Sequence, residues 1–238
     1  MSEETRNPIK ALFQMVDRFL KKVLDVGGSL IGLVLALPIF IVVAILIKLD
    51  SPGPVFYVQE RVGINRRRRQ RRVFKGDVGT NNRLRERRRM DYHGRPFKVI
   101  KFRTMVNDAE KRCGPVWATA NDARITRLGR FLRKSRIDEL PQLLNVIRGD
   151  MSLVGPRPER PVFVRDLAQK VPNYNARLVV KPGLTGLAQV SRGYDTSLES
   201  VLEKVKHDIR YIRNWSITSD LKILARTVLV VLTGKGAF

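Results

Sequence analysis

The amino-acid sequence predicts a mainly helical α+β protein that lies on a membrane as a monotopic domain, with one re-entrant, proline-broken membrane helix and amphipathic helices at the interface. Three observations carry this prediction. Residues Val26 to Ile47 form 22 consecutive positions without a charge. Apolar residues recur at helical spacing in the residues before them. Two later stretches alternate like short strands.

The charge-free run, VGGSLIGLVLALPIFIVVAILI, would reach about 33 Å as a straight helix at about 1.5 Å per residue, enough for a hydrocarbon core about 30 Å thick. It does not read as a signal peptide. Its apolar stretch is too long, about two dozen residues precede it, and no small-residue cleavage site lies before Lys48 and Asp50. A soluble helix this apolar on every face would need protein all around it. Basic residues flank both ends, Arg18, Lys21 and Lys22 on one side and Lys48 and Arg61 on the other. A single crossing would therefore violate the positive-inside rule at one end, whereas a helix that enters and returns satisfies both. Pro38 supplies the break, because it lacks an N–H and its ring displaces the carbonyl of Val34.

Ahead of this run, Ile9, Leu12, Phe13, Val16, Phe19, Leu20 and Val23 mark an amphipathic helix over residues 1–25, feeding the membrane helix over 26–50. Residues 51–238 form the remaining, cytoplasmic domain. In it, a turn at Ser51 to Pro54 leads into a strand around Val55 to Gln59, and RPFKVIKFRTM, residues 95–105, alternates in the same way and is suited to pair with it. Residues 220–233 are apolar but too short to cross, which predicts a core or interfacial helix.

The net charge of +24, from 46 basic and 22 acidic residues, calls for an anionic partner: nucleic acid, an anionic membrane surface or a phosphorylated substrate. The single Cys113 excludes an intrachain disulfide, and with only His93 and His207 beside it no thiolate or imidazole metal cluster can form. This composition fits a reducing cytoplasmic compartment. Between Arg61 and Arg95 stand 14 basic and 3 acidic residues, most of them in a basic insertion over 65–92. An RNA-binding arm is one reading of such a run. Its nearness to the membrane segment and its single Phe and Tyr for stacking on bases favour contact with anionic lipid or a solvated loop, and no nucleic-acid partner is expected.

The segment LRKSRIDELPQLLN, residues 132–145, sets Asp138 and Glu139 side by side after Arg133, Lys134 and Arg136. Pro141 is tolerated only in the first turn of a new helix, which puts Asp138 near a helix start. Two readings remain open there. The pair can be a helix cap with a solvated neighbour. Alternatively, a carboxylate can attack phosphorus, provided that cations such as Arg133, Arg136 and Mg²⁺ neutralise the phosphoryl oxygens.

The order of motifs resolves the choice. The basic pair before a proline-containing apolar run, then SPGPVFYVQERVG, RPFKVIKFRTM, LRKSRIDELPQLLNVIRGDMSLVGPRP, KPGLTGLAQVSRG and NWSITSDLKIL, together resemble the bacterial sugar transferases known as monotopic phosphoglycosyl transferases. The resemblance covers nearly all of the chain. It implies transfer of a sugar 1-phosphate from a UDP-sugar to a polyprenol phosphate such as undecaprenyl phosphate at the cytoplasmic face of the bacterial inner membrane, initiating surface polysaccharide or glycoconjugate assembly. By the same resemblance Asp138 is the nucleophile that takes the phosphosugar and releases UMP, in a two-step, ping-pong reaction. Glu139 completes the pair, and Mg²⁺ is expected beside Asp138 and Glu139. Arg133, Arg136, Lys101, Arg103 and Arg157, the last between Pro156 and Pro158, are expected to bind phosphate or substrate, and Pro38 matches the proline that bends the membrane helix. Membrane lipid is an implied partner, and a homo-oligomer is left open. The pattern departs from the family in its insertion, about 28 residues over Asn65 to Tyr92 where members usually have a few. It otherwise resembles the small, catalytic-core form without the extra four-helix N-terminal region.

Overall fold

A computed structural model describes residues 8–65, 93–109, 114, 122–191 and 198–233, and shows a mainly helical protein with two small two-stranded sheets. The insertion expected over 65–92 lies, from residue 66 on, outside the described residues.

Helix α1, Pro8–Asp50, contains both the expected surface helix and the expected membrane segment as one element of 43 residues, with Pro38 inside it. The helix is thus not interrupted at Pro38. A proline forfeits one N–H bond and frees one carbonyl, which a long apolar helix packed against neighbours can absorb without ending. One stripe of α1 is buried along its length, at Asp25, Ser29, Ala36, Val43 and Ile47, while Leu30, Ile31, Val34, Leu37, Ile41, Val42 and Ile45 point away from the protein. The spacing of the buried set, four or seven residues, is that of one helix face.

Strands β1, Phe56–Val62, and β2, Pro96–Phe102, pair antiparallel as their alternation predicts, from Phe56 opposite Phe102 to Val62 opposite Pro96. After β2 come helix α2, Arg127–Lys134, a 3-10 helix over Ile137–Gln142, and helix α3, Leu143–Ile147. Buried Asn145 ties this run to β2, its Oδ1 accepting from the Ile100 N–H at 3.1 Å and its Nδ2 donating to the Lys98 carbonyl at 2.7 Å. Strand β3, Ser152–Val154, pairs parallel with β4, Gly183–Thr185. Helix α4, Pro161–Lys170, and a second 3-10 helix, Tyr174–Val179, lie between those strands, and helices α5, Leu187–Ser191, α6, Leu198–Arg213, and α7, Ile217–Thr233, close the chain. Helix α7 is both core and surface: Asp220 and Ile223 are buried, whereas Leu221, Val228 and Leu229 are exposed.

Three apolar clusters hold these elements. Val43 and Ile47 of α1 pack with Phe102 of β2 and Leu132 of α2, and the Phe40 and Phe102 rings meet edge-on with centroids 4.9 Å apart. Leu143, Val146, Met151, Leu153, Tyr211 and Ile223 form a second cluster, and Val62, Val164, Leu167, Tyr174, Val201 and Val205 a third. Polar contacts fix the N-terminal half of α1. Lys21 Nζ lies 2.7 Å from Asp220 Oδ2, which is fully buried, and Asp25 Oδ1 accepts from Ser152 Oγ and the Leu153 N–H, each at 3.0 Å.

Candidate active site

Asp138 and Glu139 occupy the first turn of the 3-10 helix and both are buried. The N-cap of that helix is Arg136, in the left-handed region at φ 60° and ψ 9°, with no side-chain cap bond. A cap role for Asp138 is therefore excluded. A non-glycine residue held at positive φ is strained, and here the strain turns the chain sharply between the basic helix α2 and the acidic pair. On α2 itself, Thr126 caps the N-terminus by accepting from the Gly129 N–H at 2.9 Å. Gly129 is needed because a Cβ there would run into the Thr104 carbonyl.

The two carboxylates have different surroundings. Glu139 Oε1 accepts from Lys101 Nζ at 2.7 Å and also from Arg157 Nη2, and Oε2 accepts from Arg157 Nη1 at 3.1 Å. Burial works to raise Glu139, and the charges of Arg157 and Lys101 more than offset it, holding the carboxyl well below its ordinary range. The Asp138 carboxylate makes no hydrogen bond to the described residues. Burial, then the charge of Glu139, push its pKa up to about 6, against the opposing pull of Lys101, Arg133 and Arg157. One carboxylate is thus pinned and biased towards its ionised form. The other is unengaged and titrates just below neutrality.

Both face a cavity of about 810 Å³ whose walls also carry Lys101, Arg133, Arg136 and Arg157. Arg133 is oriented by donating from Nε to Thr104 Oγ1 at 2.9 Å. The structure thus brings together every expected site residue of the carboxylate and phosphate set. Arg103 differs. It also borders the cavity, but its guanidinium is buried and donates to the carbonyls of Ile47 at 3.3 Å, Ser51 at 2.6 Å and Pro52 at 2.6 Å. Its Nη groups are committed to the C-terminal end of α1 and the turn that follows it.

Reading the sequence missed the far wall of the cavity. Glu159 there is held by Lys204 at 2.7 Å and by Arg61 at 3.5 Å. Burial raises Glu159, but Lys204, Arg61 and Arg177 prevail and bring it to about 2. Behind it Arg177 pairs with buried Asp208 at 2.8 Å and donates to Tyr174 Oη at 3.1 Å. Arg61 comes from β1, Glu159 from the loop after β3, Tyr174 and Arg177 from the second 3-10 helix, and Lys204 and Asp208 from α6, and no spacing in the sequence links these segments; the one available signal was that Glu159 directly follows the GPRP motif.

A Mg²⁺ ion ordinarily keeps several waters and takes one or two carboxylates together with substrate phosphates. Among the described residues no group of three or more His, Cys, Asp or Glu side chains could form a protein cage. The donors fit a Mg²⁺ shared with substrate, on the open Asp138 carboxylate. Glu139, expected as a second ligand, has both oxygens in charge-assisted bonds already.

The family model described as bacterial sugar transferase matches residues 16–76 and 74–234. The chain is 39% identical over 219 residues, 92% of its length, to a UDP-N-acetylgalactosamine-undecaprenyl-phosphate N-acetylgalactosaminephosphotransferase of Aeromonas hydrophila, of which it spans 45%. It is 40% identical over 220 residues to a UDP-glucose:undecaprenyl-phosphate glucose-1-phosphate transferase of Caulobacter vibrioides, spanning 72% of that protein, and 37% identical over 226 residues to one of Escherichia coli, spanning 42%.

Proposed function

Because this chain belongs to the bacterial sugar transferase family, we propose that it moves a sugar 1-phosphate from a UDP-sugar to undecaprenyl or a similar polyprenyl phosphate. The single observation that carries the reading is the asymmetry of the acidic pair. Asp138 stands unengaged at a cavity lined by arginines, beside a Glu139 fixed by Lys101 and Arg157.

In the first step an Asp138 carboxylate oxygen forms a bond to the sugar-bearing phosphorus of the donor, and the bond from that phosphorus to the bridging oxygen breaks. UMP leaves with the electron pair. In the second step an oxygen of the lipid phosphate attacks the same phosphorus, the acyl phosphate bond breaks, and Asp138 is restored as a carboxylate. Arg133 and Arg136 are suited to hold phosphoryl oxygens as their charge is redistributed, and Arg157 and Lys101 keep Glu139 from drawing Asp138 into a shared proton. Mg²⁺, when bound beside Asp138, supplies further neutralisation of the phosphates. Arg103 does not fit a phosphate-binding role, and we assign it to holding the end of α1 against β2.

The membrane reading is a monotopic seat at the cytoplasmic face of the inner membrane, with α1 bent at Pro38 and both of its ends on one side. Its support is that the two ends of the apolar segment engage the same domain, Lys21 through Asp220 and Ile47 through Arg103. The exposed faces of α1 and α7 then meet lipid. No described residue favours the RNA-arm alternative, and the arginine-rich run on which it rests lies outside the described residues.

The test is direct trapping. Incubating the full chain with a UDP-sugar and Mg²⁺ in the absence of lipid acceptor is expected to release about one UMP per protein and to add the mass of one sugar phosphate, on the peptide containing Asp138. Asp138→Asn should give neither. UMP release without a protein adduct would overturn the covalent route.

A further inference from the structure

The cavity has a second pole that phosphoryl transfer leaves unused. Glu159, Gln189, Ser200 and Lys204 line it, with the rings of Phe163 and Tyr174. Its chemistry differs from that around Asp138. Glu159 is fixed between Arg61 and Lys204, so a carboxylate acceptor is presented on this wall. Gln189 donates from Nε2 to the Leu184 carbonyl at 3.1 Å, which fixes which end of the amide is oxygen, and its Oε1 is buried without a hydrogen-bond partner among the described residues. A buried acceptor left unpaired is costly, and a ligand donor can relieve that cost.

Resting on the transferase reading above, we propose that this pole binds the hexose of the nucleotide sugar and selects among hexoses through their hydroxyl groups, with Gln189 and Glu159 as acceptors. The balance of donors and acceptors decides between the two neutral parts of such a donor. Uracil offers one N–H and two carbonyl oxygens, so it would match a pole richer in donors. A hexose offers several O–H donors, and two acceptors at separate points of the wall read their positions. The aromatic rings of Phe163 and Tyr174 suit the apolar C–H face of a pyranose. Glu159 is two residues beyond Arg157, so the hexose lies next to the phosphate that Arg157 and Arg133 face.

The experiment uses the full chain in detergent with Mg²⁺, a short polyprenyl phosphate and four donors, UDP-glucose, UDP-galactose and their N-acetyl counterparts. Gln189→Met and Ser200→Ala are each compared with the unchanged protein for kcat/KM on every donor and for inhibition by UMP. At least one variant is expected to change the ratio between the best and poorest donors by roughly tenfold or more, because a site built to bond a hydroxyl discriminates through it, while UMP inhibition stays within about twofold. Gln189→Glu, which retains an acceptor, is expected to keep more of the original ranking than Gln189→Met. Weakened UMP inhibition with unchanged ratios would assign the pole to the nucleoside and overturn the proposal. A uniform loss on all donors would make these residues structural and overturn it equally. If the unchanged protein releases UMP from none of the four, the transferase reading fails; calorimetric binding of the same donors then decides the subsite separately, and equal affinity for all four overturns it.

Discussion

Burial alone would push both members of an adjacent acidic pair towards neutrality, and the neighbours of Asp138 and Glu139 decide otherwise for only one of them. Glu139 draws the direct bonds of Lys101 and Arg157, leaving Asp138 at a pKa of about 6. Two predictions belong to this residue. Formation of the protein adduct should fall as pH drops through about 6, since a protonated carboxyl is no nucleophile; a rate unchanged down to about pH 4.5 would contradict the assignment. Stability should move in the opposite sense. With a folded pKa above the ordinary 3.8, Asp138 contributes stability that is present below about pH 4 and is lost as pH rises through about 6. Asp138→Asn should therefore be more stable than the unchanged chain at about pH 8, by on the order of 2 kcal/mol, and the gap should close near pH 4 in chemical denaturation. The residue types needed for this chemistry were legible in the sequence. Their division of labour was not, because it depends on Lys101 and Arg157, which lie 38 and 18 residues away from Glu139 in the chain. For the same reason the carbonyl partners of Arg103, a cation two positions from Lys101, could not be read from the sequence.

The pairing of β1 with β2 and the helix over residues 220–233 could be read from alternation and apolar content, because those patterns are local. The course of α1 could not. Periodicity marked two segments with different surfaces, and the chain joins them in one helix whose buried stripe crosses the boundary between them. What holds its N-terminal half is a buried polar knot. Asp220 takes Lys21 at 2.7 Å, the Tyr211 hydroxyl at 2.8 Å and the Trp215 indole N–H at 3.3 Å. Removing one charge from such a pair strands the other, at a typical cost of about 3–5 kcal/mol, whereas removing both is far milder. Lys21→Met and Asp220→Leu should each lower the unfolding midpoint sharply, and the double variant should lie above at least one single variant. Strictly additive losses would mean that the two groups are not coupled.

At the scale of the molecule, the charge of +24 points to an anionic partner and could not say which, since charge counts carry no position. Position comes from the fold. Cations collect around the cavity, and apolar side chains collect on the outward faces of α1 and α7. A protein arranged in this way should expose both termini to the cytoplasm. Reporter tags after Phe238 and before Met1 are expected to give the cytoplasmic signal together, and a periplasmic signal from either would refute the re-entrant seat. The second pole of the cavity stayed invisible in the sequence, because Arg61, Glu159, Arg177 and Lys204 meet only after three elements and a loop have packed.

The last turn of α1 shares its core with strand β2, and its Ile47 carbonyl, with the Ser51 and Pro52 carbonyls that follow, rests on one guanidinium of the neighbouring loop. Membrane proteins are often imagined as a working part with a detachable tether. Here there is no seam at which to cut. Trimming the first 50 residues would uncover Phe102 and take the Ile47 carbonyl from Arg103, one residue from the Thr104 that aims Arg133. Solubilising this protein by truncation would therefore dismantle the phosphate side of its own cavity, and a soluble form is better sought by recolouring the outward face of α1 with polar residues while its inner stripe is kept.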